Sequence, residues 1–164
     1  MKSLALKRAA FTLAEILIAI IFLGLAIAAL LGTNRVLTQS NAAAIELSTA
    51  EFLTEQFREL TILLPAYDPQ EGIDSFGREE ALLANYDDID DFDDLPPFSP
   101  PINADRQPIN SLASYRQTVT VQNVSPTNFA LVVADNTTSF LKVTVNIYFN
   151  SKLVSSTSWI RTRY

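Results

Sequence analysis

Two kinds of hydrophobic periodicity divide the chain. Residues 16–31 are sixteen consecutive apolar residues, and residues 11–14 precede them with only Glu15 between. Together they make about 20 mostly apolar residues, enough as a helix to span a hydrocarbon core. Farther on, Leu47, Ala50, Leu53, Phe57, Leu60 and Leu64 recur at spacings of three and four. That is one face of an amphipathic helix. Glu46, Glu51, Glu55 and Glu59 fall mainly off this face, and Pro65 ends the run. The spacing predicts one helix of about 50 residues from Phe11, apolar over 11–32 and amphipathic over 33–64.

From residue 111 the period changes to two. Over 115–124, Tyr115, Gln117, Val119 and Val121 alternate with Arg116, Thr118, Thr120 and Gln122. Over 140–149, Leu141, Val143, Val145, Ile147 and Phe149 oppose Lys142, Thr144 and Asn146. A short apolar strand is expected at 129–134 and a further strand at 152–161. This alternation marks half-buried strands, and the links between them carry Pro, Asn, Asp and Ser, which favour turns. The expectation is an antiparallel meander in residues 111–164 with its apolar face on the stripe from Leu47 to Leu64, an α+β fold. Trp159, Arg161, Arg163 and Tyr164 read as edge-strand residues.

Between helix and strands, residues 65–110 hold seven of the eight prolines, together with Gly72 and Gly77. They predict a long irregular connection with a short helix near 78–85. Inside it, Asp87, Asp88, Asp90, Asp91, Asp93 and Asp94 crowd six carboxylates into eight residues, broken by Ile89 and Phe92. Oxygen-rich clusters suit Ca²⁺. The EF-hand pattern is not met, because Phe92 and Leu95 interrupt it. The alternative is an acidic loop pinned to the domain by Ile89, Phe92 and Leu95.

Charge narrows the partners. The net charge is -6, and three of the twelve cations, Lys2, Lys7 and Arg8, lie in the first eight residues. Without them nine cations face eighteen anions, so a nucleic-acid partner is not expected. The chain has no Cys and no His. Zinc sites, Cys or Ser-His nucleophilic catalysis and disulfides therefore lack their usual parts. No G-x-S-x-G or P-loop pattern is present, and the crowded Asp loop does not resemble a paired acid/base site. The chain reads as a non-enzyme.

The amino-terminal cations predict a cytoplasmic N-terminus, with the carboxyl side of the apolar segment exported. Glu15 is out of place in a signal peptide's apolar region, and a carboxylate inside a membrane segment is a functional suspect. The segment Ala10-Phe11-Thr12-Leu13-Ala14-Glu15 resembles the prepilin peptidase site of type IV pilins and type II secretion pseudopilins. It departs from that family in one place, because Ala10 stands where Gly is usual.

The resemblance covers about 25 residues before and within the apolar helix. It implies a pilin-like fold, a leader of residues 1–10, cleavage between Ala10 and Phe11, and N-methylation of Phe11. It further implies that Glu15 meets the amino terminus of a neighbouring subunit during assembly; the alternative is a Glu snorkelling to the headgroups. Some pseudopilins bind calcium in their exported domains, which bears on the Asp cluster. The expected partners are other pilin subunits, prepilin peptidase, the inner-membrane assembly platform and lipid. Gly24 and Gly32 are either points where the helix loosens on assembly or neutral small residues.

The stretch Tyr86-Asp87-Asp88-Ile89-Asp90-Asp91-Phe92, with Pro96-Pro97 after it, is similar to minor pilins of the mannose-sensitive haemagglutinin pilus class. Three functions follow as expectations. The first is a minor subunit of an extracellular pilus; the second is a subunit of a periplasmic secretion pseudopilus. The third is a membrane-tethered binding or adhesive domain.

Overall fold

The computed structural model describes residues 11–67 and 76–162. Residues 1–10, Ala10 among them, 68–75 and 163–164 lie outside these. The chain divides into two compact units, residues 1–44 and 45–164. Helix α1, Leu13–Thr61, is 49 residues long.

In the first unit, α1 is apolar on every side. Its most apolar 18-residue window has a mean hydropathy of 2.8 with none of it buried, so the helix is long and apolar enough to cross a membrane. Leu17, Ile20, Phe22, Leu25 and Leu30 are all exposed. A helix hydrophobic all round needs an apolar surrounding. Polar side chains at its far end are quieted locally: the Thr33 hydroxyl donates to Ala29 O at 3.0 Å and that of Thr38 to Asn34 O at 2.9 Å.

In the second unit, the last turns of α1 pack on a four-stranded antiparallel sheet, an α+β arrangement. Ala50, Leu53, Phe57 and Leu60 are buried, as the spacing predicts, while Leu47 is 44% exposed and stays out of the core. The buried Thr54 and Thr61 satisfy their hydroxyls on the Ala50 and Phe57 carbonyls. The helix ends at Thr61, four residues before Pro65. Ile62 and Leu64 then donate to carbonyls three residues back, at 3.4 and 3.2 Å. Arg161, read from sequence only as an edge residue, reaches over and donates to Ile62 O at 3.2 Å and Leu64 O at 2.8 Å. Carbonyls at a helix end need such donors.

The strands are β1 (Tyr115–Ser125), β2 (Asn128–Val132), β3 (Phe140–Phe149) and β4 (Lys152–Thr162). Their order is β2-β1-β3-β4, so the sheet is not the expected meander. β2 turns back on the end of β1, and β3 then crosses to the other side of β1, pairing from Tyr115↔Phe149 to Asn123↔Leu141. The reason lies in the faces. β2 has five residues, all exposed, and offers no buried face. β1 and β3 both alternate over ten residues or more and place Val119, Val121, Val143 and Val145 side by side in the core. The β3–β4 hairpin turns on Asn150 and Ser151, both with positive φ (46° and 69°), which matches the primed turns of two-residue hairpins.

Two buried amides on β1 tie non-strand segments to the sheet. Asn123 donates to the Tyr67 hydroxyl at 2.9 Å and to Thr138 O at 3.0 Å. It accepts from Asn136 N at 2.8 Å, and so holds the return from β2 to β3. Gln117 accepts from Ile102 N at 3.2 Å and donates to Leu53 O at 3.4 Å.

The connection 65–110 is therefore not a peripheral loop. Ala66, Tyr67, Tyr86, Ile89, Phe92 and Ile102 are buried, and Phe92 stacks edge-on with Phe57 and Tyr86, each at 5.1 Å. Among its described residues the helical content is two short 3-10 turns, Leu83–Asn85 and Asp90–Phe92, and a third, Asn110–Leu112, leads into β1.

Replacing Asn123 by Ala strands several buried partners at once. Asn123→Ala should lower stability in urea unfolding by about 2–4 kcal/mol. Asn128→Ala, at the exposed start of β2, should change it by under about 1 kcal/mol.

Candidate functional sites: the helix terminus and a buried carboxylate pocket

The start of α1 is built from Thr12 and Glu15. With Leu13 the first helical residue, Thr12 is the N-cap and Glu15 the third residue of the first turn. Thr12 N and Thr12 Oγ1 both donate to Glu15 Oε2 at 2.8 Å, and Glu15 N donates back to Thr12 Oγ1 at 3.3 Å. This is a reciprocal capping box. The T-x-x-E pattern that announces it stands in the sequence, where the same Glu reads only as an intruder in an apolar run. The carboxylate sits at the positive end of the helix dipole. Around it Phe11, Ile16, Ala19, Ile20 and Leu23 line a shallow apolar groove of about 340 Å³, with Ala19 its smallest side chain.

Gly24 and Gly32 both lie inside the unbroken helix. A methyl group at either would meet open space, so neither is required by packing within the chain.

The second constellation is the Asp-rich segment. Asp88, Asp90 and Asp91 are at most 1% exposed, whereas Asp94 is exposed and has φ 48°. Ile89 and Phe92 carry the segment inward: both are fully buried, and Ile89 N donates to Pro65 O at 3.1 Å. Leu95 packs against the same core. The pinned segment is thus present, but its carboxylates go in with it.

Some of those carboxylates serve the backbone. Asp93 Oδ1 accepts from Val121 N at 2.7 Å, on the side of β1 away from β3. Asp90 Oδ2 accepts from Gly77 N at 3.3 Å, Asp88 Oδ1 from Asp91 N at 3.0 Å, and Asp91 Oδ2 from Asp87 N at 3.1 Å. One oxygen of each buried carboxyl remains. As carboxylates, Asp88 Oδ2, Asp90 Oδ1, Asp91 Oδ1 and Glu80 Oε2 are buried and have no donor. No Lys or Arg among the described residues forms an ion pair with Asp88, Asp90 or Asp91.

Carboxyls also meet each other, Glu80 with Asp91 and Asp88 with Asp90, which requires a proton or a cation between them. Burial and then the hydrogen bond that its carboxyl donates to Asp88 push Asp90 up to about 8. Burial pushes Asp88 up to about 6. The hydrogen bond with Asp91, then burial, takes Glu80 to about 7. Asp93 is raised as well, by burial, against the pull of the Val121 amide.

Two sets of carboxylate oxygens converge to within 4.8 Å of one another: Asp87, Asp88 and Asp91, and Glu79, Glu80 and Asp91. Asp90, Asp93 and Asp94, candidates from the sequence, belong to neither set. Glu79 and Glu80 were not singled out there, because their sequence distance from the Asp run hides a spatial one.

The comparisons add no relative: the chain matches no family model, no curated protein and no solved structure.

Folding raises the proton affinity of Asp88, Asp90 and Glu80, so below their ordinary range near pH 4 the folded form carries no disadvantage. As pH rises through 6 to 8 these protons must leave a buried site, and the stability linked to them is lost. In chelator-containing buffer the melting temperature of the second unit should fall between pH 5 and pH 8. A flat or rising profile over that window would contradict the assignment.

Proposed function

We propose that the chain is a structural subunit, of minor-pilin type, of a type IV pilus-like filament. It enters the inner membrane with residues 1–10 cytoplasmic and is cut between Ala10 and Phe11 by a prepilin peptidase. An inner-membrane platform then assembles it through its N-terminal helix. The observation that carries this reading is the conjunction at the start of α1. The Phe11-Thr12-Leu13-Ala14-Glu15 segment opens a helix whose most apolar 18 residues no described part of the chain covers.

The capping box sharpens the chemistry. Cleavage before Phe11 leaves the new amino group one residue from the N-cap, so the box is intact in the mature chain. Both Thr12 donors act on Oε2 of Glu15, which fixes the carboxylate at the helix tip. In lipid, that carboxylate and the Phe11 ammonium of a neighbouring copy would each be costly alone and are stabilised as a pair. The apolar groove beside Glu15, floored by Ala19, lets another helix come close. The exported part, residues 45–164, then rides outside the filament core as a disulfide-free domain held by its own packing.

Glutamine keeps the capping box but not the charge. Glu15→Gln should therefore insert and be processed as the native chain is. Its recovery in sheared filaments, relative to the membrane pool, should drop at least about tenfold, in keeping with loss of a buried charge partner. Native-level incorporation would remove the charge pair from the account.

A further inference from the structure

We propose that the groove lined by the proline-rich part of the connection, about 440 Å³ in volume, binds a short acidic peptide segment of a partner protein and holds its carboxylate on Arg106 and Arg78. The groove lies within the second unit, and the proposal does not rest on the filament reading. Its charge stands apart from the rest of the chain. Eighteen anions face twelve cations overall, yet both charged side chains lining the groove are arginines, and no Asp or Glu joins them. Among the described residues the one ion pair is Arg58 with Glu55, so no described carboxylate neutralises either arginine. Two cations on an otherwise uncharged surface select an anion.

Arg106 is built to hold that anion in one orientation. Asn103 closes the turn that carries it: Asn103 Oδ1 accepts from Asp105 N at 3.0 Å and Gln107 N at 2.8 Å, and Arg106 N donates to Asn103 O at 3.0 Å. Arg106 itself has φ 62°, a left-handed backbone that a residue with a side chain adopts only where its surroundings impose it. Its Nη1 donates to Leu83 O at 3.1 Å and Ala84 O at 2.9 Å, which fixes the guanidinium plane. Nε and Nη2 keep no hydrogen-bond partner among the described residues. That edge is the fork that takes a carboxylate through two parallel bonds. Arg78, which is exposed, adds charge.

The walls choose the rest of the ligand. Tyr86 and Ile102, each 4% exposed, and four prolines give an apolar, already ordered lining. Phe98 is fixed to β1 by a pair of bonds with Gln117, at 2.8 and 3.0 Å, so the wall loses little freedom on binding. Ser99 and Tyr86 are the sole neutral lining side chains with a hydrogen-bonding group, too few for the many hydroxyls of a sugar. An apolar side chain beside a carboxylate suits such a lining. The chain's own densest acidic run keeps Asp88, Asp90 and Asp91 inside the core, so the segment comes from another protein.

The test uses the full chain in micelles of a neutral detergent, titrated by calorimetry with capped tetrapeptides that pair Asp or Glu with Leu or Phe. Saturable binding is expected, and Asn or Gln versions of the same peptides should bind at least about tenfold more weakly. Arg106→Lys keeps the charge, loses the fork and should cost a similar factor. Arg78→Gln, at an exposed position, should weaken binding about threefold and serves if the Arg106 variant does not fold. Lys152→Gln, at an exposed cation outside the groove, should bind as the native chain does. Absence of saturable heat with any acidic peptide up to about millimolar concentration would overturn the proposal, as would undiminished binding in both arginine variants. Hexanoate or inorganic phosphate bound as tightly as the best peptide would overturn the peptide assignment. Crosslinking between copies that is lost in Arg106→Lys would give the groove to a second copy instead.

Discussion

An apolar helical surface with nothing on it governs this molecule. The most hydrophobic window of α1 has none of its surface buried, and the side chains there are large: Phe22, Leu25, Ile27, Leu30. At roughly 25 cal/mol for each Å² of apolar surface, leaving such a helix in water is prohibitive. The helix is long and apolar enough for a bilayer to cover it. The polar details at its tip take their meaning from that constraint. Thr12 and Glu15 close a capping box where the chain enters the apolar stretch, satisfying backbone donors that lipid could not. A carboxylate held in that position serves the helix.

The second unit solves a different problem, how to attach a proline-rich connection to a small sheet. Apolar packing does part of it, through Ile89 and Phe92 against Phe57. The rest is done by polar groups inside the core. Gln117 and Asn123, six residues apart on one strand, gather the connection at one end and the β2–β3 return at the other. Buried amides with their partners met restrict a core to one arrangement more tightly than apolar contacts do. The carboxyls of Asp88, Asp90 and Asp91 lie in the same interior, each with one oxygen met by a backbone N–H and the other by none, so their protonation depends on what solution supplies.

Much of this was legible in the residues, and the pattern of what was not is physical. Length and period located α1 and all four strands, because a stripe at three and four and an alternation at two each survive any topology. Strand order did not follow. Pairing between β1 and β3 depends on which strands have a buried face, and the short, fully exposed β2 could not be told from a buried apolar strand by composition. Leu47 fitted the stripe yet stayed exposed, because a stripe does not say where the sheet stops covering it. Among the acidic residues, composition located the Asp run but not its depth. Ile89 and Phe92 pull their neighbours inside, and Glu79 and Glu80 arrive only through the fold. The Thr12–Glu15 box was readable from spacing alone. It was masked by the stronger signal that a Glu does not belong among leucines.

The account turns on one covalent event, the creation of an amino terminus at Phe11 beside the capped end of α1. Mass spectrometry of the amino-terminal peptide, from protein made in cells that carry a prepilin peptidase, reads that event directly. The account predicts a chain that begins at N-methylated Phe11. A chain that still begins at Met1, or one cut beyond the apolar stretch, would contradict it.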